Sequence, residues 1–159
     1  MRVVPAAALC LALSAAAAAG SGSWTDPGRW SAQAGPSAGP PQAIGFYTAG
    51  CIEGALALPP RGPGFEVVRL RRRRYFGHPD LVAYVRRLAD SAAKAGLPPL
   101  LVGDLSQPRG GPTPSDHGSH QSGLDVDIAY TRPPAALRRP LDENEREAFL
   151  LIPVVDVER

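Results

Sequence analysis

Aromatic residues, cysteine and net charge are all scarce in this sequence, and each scarcity removes a class of function. Aromatics make up 6% of the 159 residues and the formal charge is only +2, so neither stacking platforms nor a broad basic surface point to nucleic acid. No apolar run after Ala19 is long enough to cross a bilayer. The length leaves room for one domain of ordinary size, which excludes a second catalytic domain. What remains is a globular composition, 44% hydrophobic and 20% charged, sufficient for a core. Gly 17 and Pro 18 add a heavy content of turns and loops.

Met1-Arg2 precedes an apolar stretch through Leu13 and then the small residues Ala15 to Ala19. That is the layout of a secretory signal with cleavage near Ala17-Ala18-Ala19, so residues 1–19 are read as a signal peptide. The short run and the early Pro5 argue against a retained membrane anchor, and Leu9-Cys10 lacks the small residue that lipid modification of Cys10 would need. After cleavage Cys51 is the only cysteine left, unpaired in an oxidising compartment. It is then either a buried free thiol or half of a bond whose partner lies on a segment outside this sequence.

Residues 20–41 are rich in Gly, Ser, Ala and Pro with only Trp24 and Trp30 to bury, and read as a flexible leader into a domain spanning 42–159. Phe65 to Leu70 and Leu100-Leu101-Val102 read as strands. Between them Leu81, Tyr84, Val85, Leu88, Ala92 and Ala95 recur at helical spacing, with His78-Pro79-Asp80 as the entry and Gly96 as the stop, a helix that packs on a sheet. Arg69 and Arg71 to Arg74 invite a polyanion reading. The rest of the chain is not basic, so the run is read as a solvated face. Ser106 to Ser119 is a long polar loop, and Asp142 to Glu145 is an acidic patch marking a turn and a helix start.

Chemistry concentrates in Asp116-His117-Gly118-Ser119-His120-Gln121-Ser122-Gly123-Leu124-Asp125-Val126-Asp127-Ile128, which holds two of the three histidines. As a strand, Leu124, Val126 and Ile128 would be buried while Asp125 and Asp127 face the other side. Gly123 permits a sharp bend, so the His120 imidazole can fold back toward the carboxylate seven residues on. Two imidazoles three apart and a strand-borne carboxylate are donors that zinc accepts, and a second carboxylate could orient a ligand. The same residue types also arise where His and Asp merely cap turns.

Ser119-His120-Gln121-Ser122-Gly123-Leu124-Asp125-Val126-Asp127 resembles the metal-binding segment of penicillin-insensitive murein endopeptidases. Gly50-Cys51-Ile52-Glu53-Gly54-Ala55, Arg74-Tyr75-Phe76-Gly77-His78-Pro79-Asp80-Leu81 and Val102-Gly103-Asp104-Leu105 resemble that family too, in the same order, from about Gln42 to about Tyr130. The resemblance implies an α+β fold, an antiparallel sheet packed with helices and a Zn2+ site at the edge of the sheet. It implies a periplasmic metalloendopeptidase that hydrolyses the D-alanyl to diaminopimelyl amide cross-linking peptidoglycan, without membrane attachment after signal cleavage. His117, His120 and Asp127 match the metal ligands, with Asp125 and Ser119 behind them, and Cys51 matches a cysteine whose partner lies further along. A bound metal would polarise the scissile carbonyl and acidify a water, so no serine is acylated.

The pattern departs from the family at one place. A later His-x-His is expected, one ligand and one group for proton transfer, and no histidine follows His120. The two accounts are a chain whose C-terminal part is incomplete, favoured here, and an inactive relative that binds peptidoglycan or metal without turnover. Gly123 to Asp127 also looks like the acidic strand of chitinase-like enzymes, but Ala129 stands where their general acid would be. His78 is read as a helix-entry residue, and Asp104 and Glu53 as structural.

Overall fold

The computed structural model describes residues 23–115, 118–129 and 139–149. The signal-peptide reading of 1–19, Cys10, His117, and the apolar stretch Ile152 to Val157 lie outside them. The elements run α1 Pro27–Ser31, β1 Gln42–Phe46, β2 Ala49–Glu53, β3 Leu56–Ala57, β4 Arg61–Gly62, β5 Phe65–Val67, a 3-10 turn Leu70–Arg72, β6 Phe76–Gly77, α2 Pro79–Lys94, β7 Leu100–Val102 and α3 Glu143–Ala148. Among the described residues no helix is long and apolar enough to cross a membrane.

The α+β expectation holds, with antiparallel pairing in β1–β2, β3–β6 and β4–β5. It is corrected in one respect, because β5 and β7 pair in parallel, Phe65 opposite Leu100 and Val67 opposite Val102. The chain between them includes α2 and crosses from one end of the ladder back to the other, which only a parallel pair requires. Three small sheets replace the single antiparallel one.

The helix entry is as expected: the His78 side chain accepts from the Asp80 N–H, Pro79 occupies the first helical position and Asp80 the first turn. Of the expected stripe Val85 and Ala92 are buried and Leu81 is half-buried against the core, while Tyr84 is exposed and Val82 and Ala89 complete the buried face. Those residues pack on Leu58, Phe65, Val67, Val102 and Leu105 to make the main core. A second cluster joins Val68, Leu101 and Ala129 to Leu141 and Phe149 around α3. The acidic patch does start that helix, through a capping box in which the Asp142 carboxylate accepts from Glu145 N–H and Glu145 accepts from Asp142 N–H.

One further expectation changes. Within the stretch read as a flexible leader, Trp30 is fully buried, and its indole N–H donates to the Trp24 carbonyl at 2.6 Å. Arg109 donates to the Gly35 carbonyl and Arg73 to that of Ala34, so this stretch is tied to the domain by both packing and backbone acceptors. Of the two alternatives open for Cys51, buried on β2, the bonded one is found, its partner lying outside the described residues.

Candidate metal centre

The described residues of 106–115 and 118–129 have almost no regular structure, so their backbone groups find partners in side chains and turns. Buried Gln107 donates from one amide nitrogen to the carbonyls of Gly110, Gly111 and Pro112 at 3.3, 3.3 and 3.0 Å. Buried Gln121 accepts from Gly50 N–H at 3.3 Å and donates to the Gly118 carbonyl at 3.2 Å, while its backbone N–H reaches the Tyr47 carbonyl at 3.1 Å. Gly111 N–H donates to the Gln121 carbonyl, and its φ of +77° with the Trp30 ring against it leaves no room for a side chain. Sequence reasoning overlooked both glutamines, since a polar residue in a polar loop carries no visible signal.

The expected alternation from Leu124 to Ile128 is not observed. Leu124 is 55% exposed, and 125–128 are uniformly half-buried. The segment runs along the end of β7, with Asp127 N–H donating to the Asp104 carbonyl, Gly103 N–H to that of Asp127 and Ala129 N–H to that of Leu101. Val126 still packs against the main core, but Leu124 is left outside it, so the inward side is covered over only part of the segment.

His120 adopts φ +68°, a left-handed conformation that costs a non-glycine residue about 1–2 kcal/mol. Together with Gly123 at φ +69° it turns the imidazole back over the following residues. Asp125 Oδ2 accepts the His120 backbone N–H at 3.2 Å and stands 2.9 Å from Nδ1, while Nε2 faces Asp127 Oδ2 at 3.5 Å. The imidazole is buried and both carboxylates are about one-third exposed. Burial alone would push the imidazole pKa down. The hydrogen bond to Asp127 and the charges of Asp125, Asp127 and Asp104 outweigh it and hold the pKa above the ordinary value of 6.5.

Two donors bound to one zinc at about 2 Å each stand roughly 3.3 Å apart in a tetrahedral array, so the 3.5 Å between Nε2 and Asp127 fits a shared ion. Asp125 on the opposite ring nitrogen is the orienting contact such a ligand needs. Among the described residues no group of three His, Cys, Asp or Glu could hold a metal; His117, the remaining expected ligand, lies outside them. Ser119 is half-buried immediately before His120.

Asp104, one ladder step from Asp127, has a different environment. Its Oδ2 lies 2.9 Å from both Arg72 and Arg74, and its side chain is 2% exposed. Saturated by two guanidiniums, it is structural, as the sequence suggested.

A family profile described as penicillin-insensitive murein endopeptidase matches residues 43–159. The chain is 55% identical to the penicillin-insensitive murein endopeptidase of Haemophilus influenzae over 85 residues, covering 54% of this chain and 30% of that protein. To the Yersinia enterocolitica protein of the same name it is 50% identical over 99 residues, 62% of this chain and 36% of the relative. To that of Salmonella newport it is 42% identical over 131 residues, 78% of this chain and 48% of the relative. The chain thus spans less than half the length of these relatives. With the match running over 43–159, the chain belongs to the penicillin-insensitive murein endopeptidase family.

Proposed function

We propose that this protein is an exported, periplasmic, zinc-dependent endopeptidase that hydrolyses the D-alanyl to diaminopimelyl amides cross-linking peptidoglycan. The observation that carries the reading is the His120 imidazole set between Asp125 and Asp127, at 2.9 and 3.5 Å. In this reading His120 Nε2 and an Asp127 oxygen would hold the ion together with His117, and Asp125, 2.9 Å from Nδ1, would orient the ring. A bound zinc supplies carbonyl polarisation and a water acidified toward neutrality. Gln121 and Gln107 keep the loop in the shape that presents His120, and the partly open carboxylates leave a side from which an extended peptide can approach. The relatives' shared name supports murein as the substrate.

A second reading is a module that binds peptidoglycan or metal without turnover. The test is release of monomers from cross-linked muropeptides by the chain with added zinc. Chelator-sensitive cleavage that disappears in His120→Ala supports the peptidase; zinc and murein binding without any cleavage supports the module. Failure to bind zinc at all overturns the metal centre.

A further inference from the structure

Seven large apolar side chains are left exposed among the described residues, and three of them border the His120 loop: Phe46 at 76% exposure, Tyr47 at 59% and Leu124 at 55%. An exposed apolar residue on its own needs no explanation, whereas several gathered beside a polar centre mark a contact surface. Two of the three are consecutive aromatics, in a chain with only 6% aromatic residues.

The fold holds them in place. Phe46 pairs with Ala49, so Tyr47 and Thr48 make a two-residue tip between β1 and β2. The Tyr47 carbonyl accepts the Gln121 N–H at 3.1 Å, and the Gln121 side chain accepts the Gly50 N–H at 3.3 Å. Both bonds end on the residue that follows His120. Gly45, at φ +79°, faces Gly50 across the hairpin, and a side chain on either would strike the backbone of the other arm, so the arms lie close and the tip is fixed. Three residues beyond Gln121, Leu124 stands between Gly123, whose carbonyl accepts the His78 N–H at 2.8 Å, and Asp125, which lies 2.9 Å from the His120 ring. Apolar side chains around a few convergent polar groups suit a ligand that carries aliphatic segments between its polar ones.

We propose that Phe46, Tyr47 and Leu124 form a binding rim for the aliphatic parts of the peptide substrate, the alanyl methyl and the diaminopimelyl methylenes. This rests on the peptidase reading. The peptide rather than the glycan strand is the occupant, because the rim begins one residue from His120 and the groups flanking the scissile amide are those two side chains, with the sugars attached farther along the stem. Methyl and methylene groups meet aromatic and leucine side chains through apolar area and dispersion alone, so the contact needs no charge on the rim.

The test uses the whole chain, zinc-free and zinc-loaded, with two probes: the free murein stem peptide ending in diaminopimelyl-D-alanine, and a tetramer of N-acetylglucosamine for the glycan strand. The Phe46 and Tyr47 ring resonances and the Leu124 methyl resonances, followed by NMR, should move with the peptide and not with the sugar. Tyr47→Ala and Phe46→Ala should each weaken peptide binding roughly fivefold, the scale of one aromatic contact, and Tyr47→Phe should not. Both side chains are more than half exposed, so these variants should fold as the unmodified chain does. Leu97→Ala removes a comparably exposed side chain past the far end of α2, about 24 Å along its axis from His78, and should change nothing. Unmoved resonances overturn the proposal, as do resonances that follow the sugar or peptide binding that survives both alanine variants. A chain that takes up no zinc yet moves the ring resonances with the peptide keeps the rim and loses the metal reading; zinc uptake with unmoved resonances does the reverse.

Discussion

Residues 65–102 and residues 106–129 are neighbours in space held by different physics. In the first, Val82, Val85 and Ala89 of α2 lie on Phe65, Val67 and Val102 of the parallel pair, an apolar contact between regular elements. In the second, two buried glutamines, left-handed residues at 110, 111, 120 and 123, and a ladder to β7 define the path. The lesson is that the helix-and-sheet region supplies stability, while the irregular region is shaped so that His120 meets Asp127.

That contrast can be broken from either side. The largest effect is expected for Phe65→Ala, which removes a side chain 2% exposed at the centre of the core and should cost about 3–5 kcal/mol in chemical denaturation. Zinc affinity of the fraction that remains folded should be unaltered. Asp125→Asn should act in the opposite sense, weakening zinc binding about 10- to 100-fold by calorimetric titration, because the ring nitrogen loses its orienting carboxylate, with little change in unfolding. Gly111→Ala tests whether the two regions are separable. Its Cβ would land 2.1 Å from the Trp30 ring at φ +77°, so about 1–3 kcal/mol of stability should go, together with some zinc affinity as the loop shifts. Unchanged zinc binding there would mean the loop geometry is set by the glutamines alone.

The smallest effect is electrostatic and lies at α3. The Glu145 carboxyl, hydrogen-bonded by Arg139 and the Asp142 backbone, is held down to about 2. A depressed carboxyl stabilises the fold above its unfolded value and loses that contribution as pH falls through about 2. NMR titration should place Glu145 near 2, and Arg139→Ala should move it back up. A value that stays low in Arg139→Ala would assign the shift to the capping box instead.

How much was legible follows the same division. Helix α2, its His78-Pro79 entry and the strand 100–102 were readable because a period and a cap are local properties of neighbouring residues. Its buried face was read in part: Val85 and Ala92 are buried as expected, but Tyr84 looks as apolar as Val82 and only the sheet decides which of the two faces inward. The site was legible as residue types and as a bend at Gly123, yet the strand predicted for 124–128 did not form, and the tie between Trp30 and Gly111 crosses too many residues to be seen in sequence.

By itself, the sequence determined the family and the order of the main elements, because each is written in contiguous motifs. Tertiary structure alone decided that two carboxylates one ladder step apart would differ. Asp104 is buried between two guanidiniums and Asp127 is left to face His120. The reason is physical: the role of a charge is set by which other charges the fold brings within a few ångströms, and for Asp104 those come from Arg72 and Arg74, thirty and more positions away in the chain.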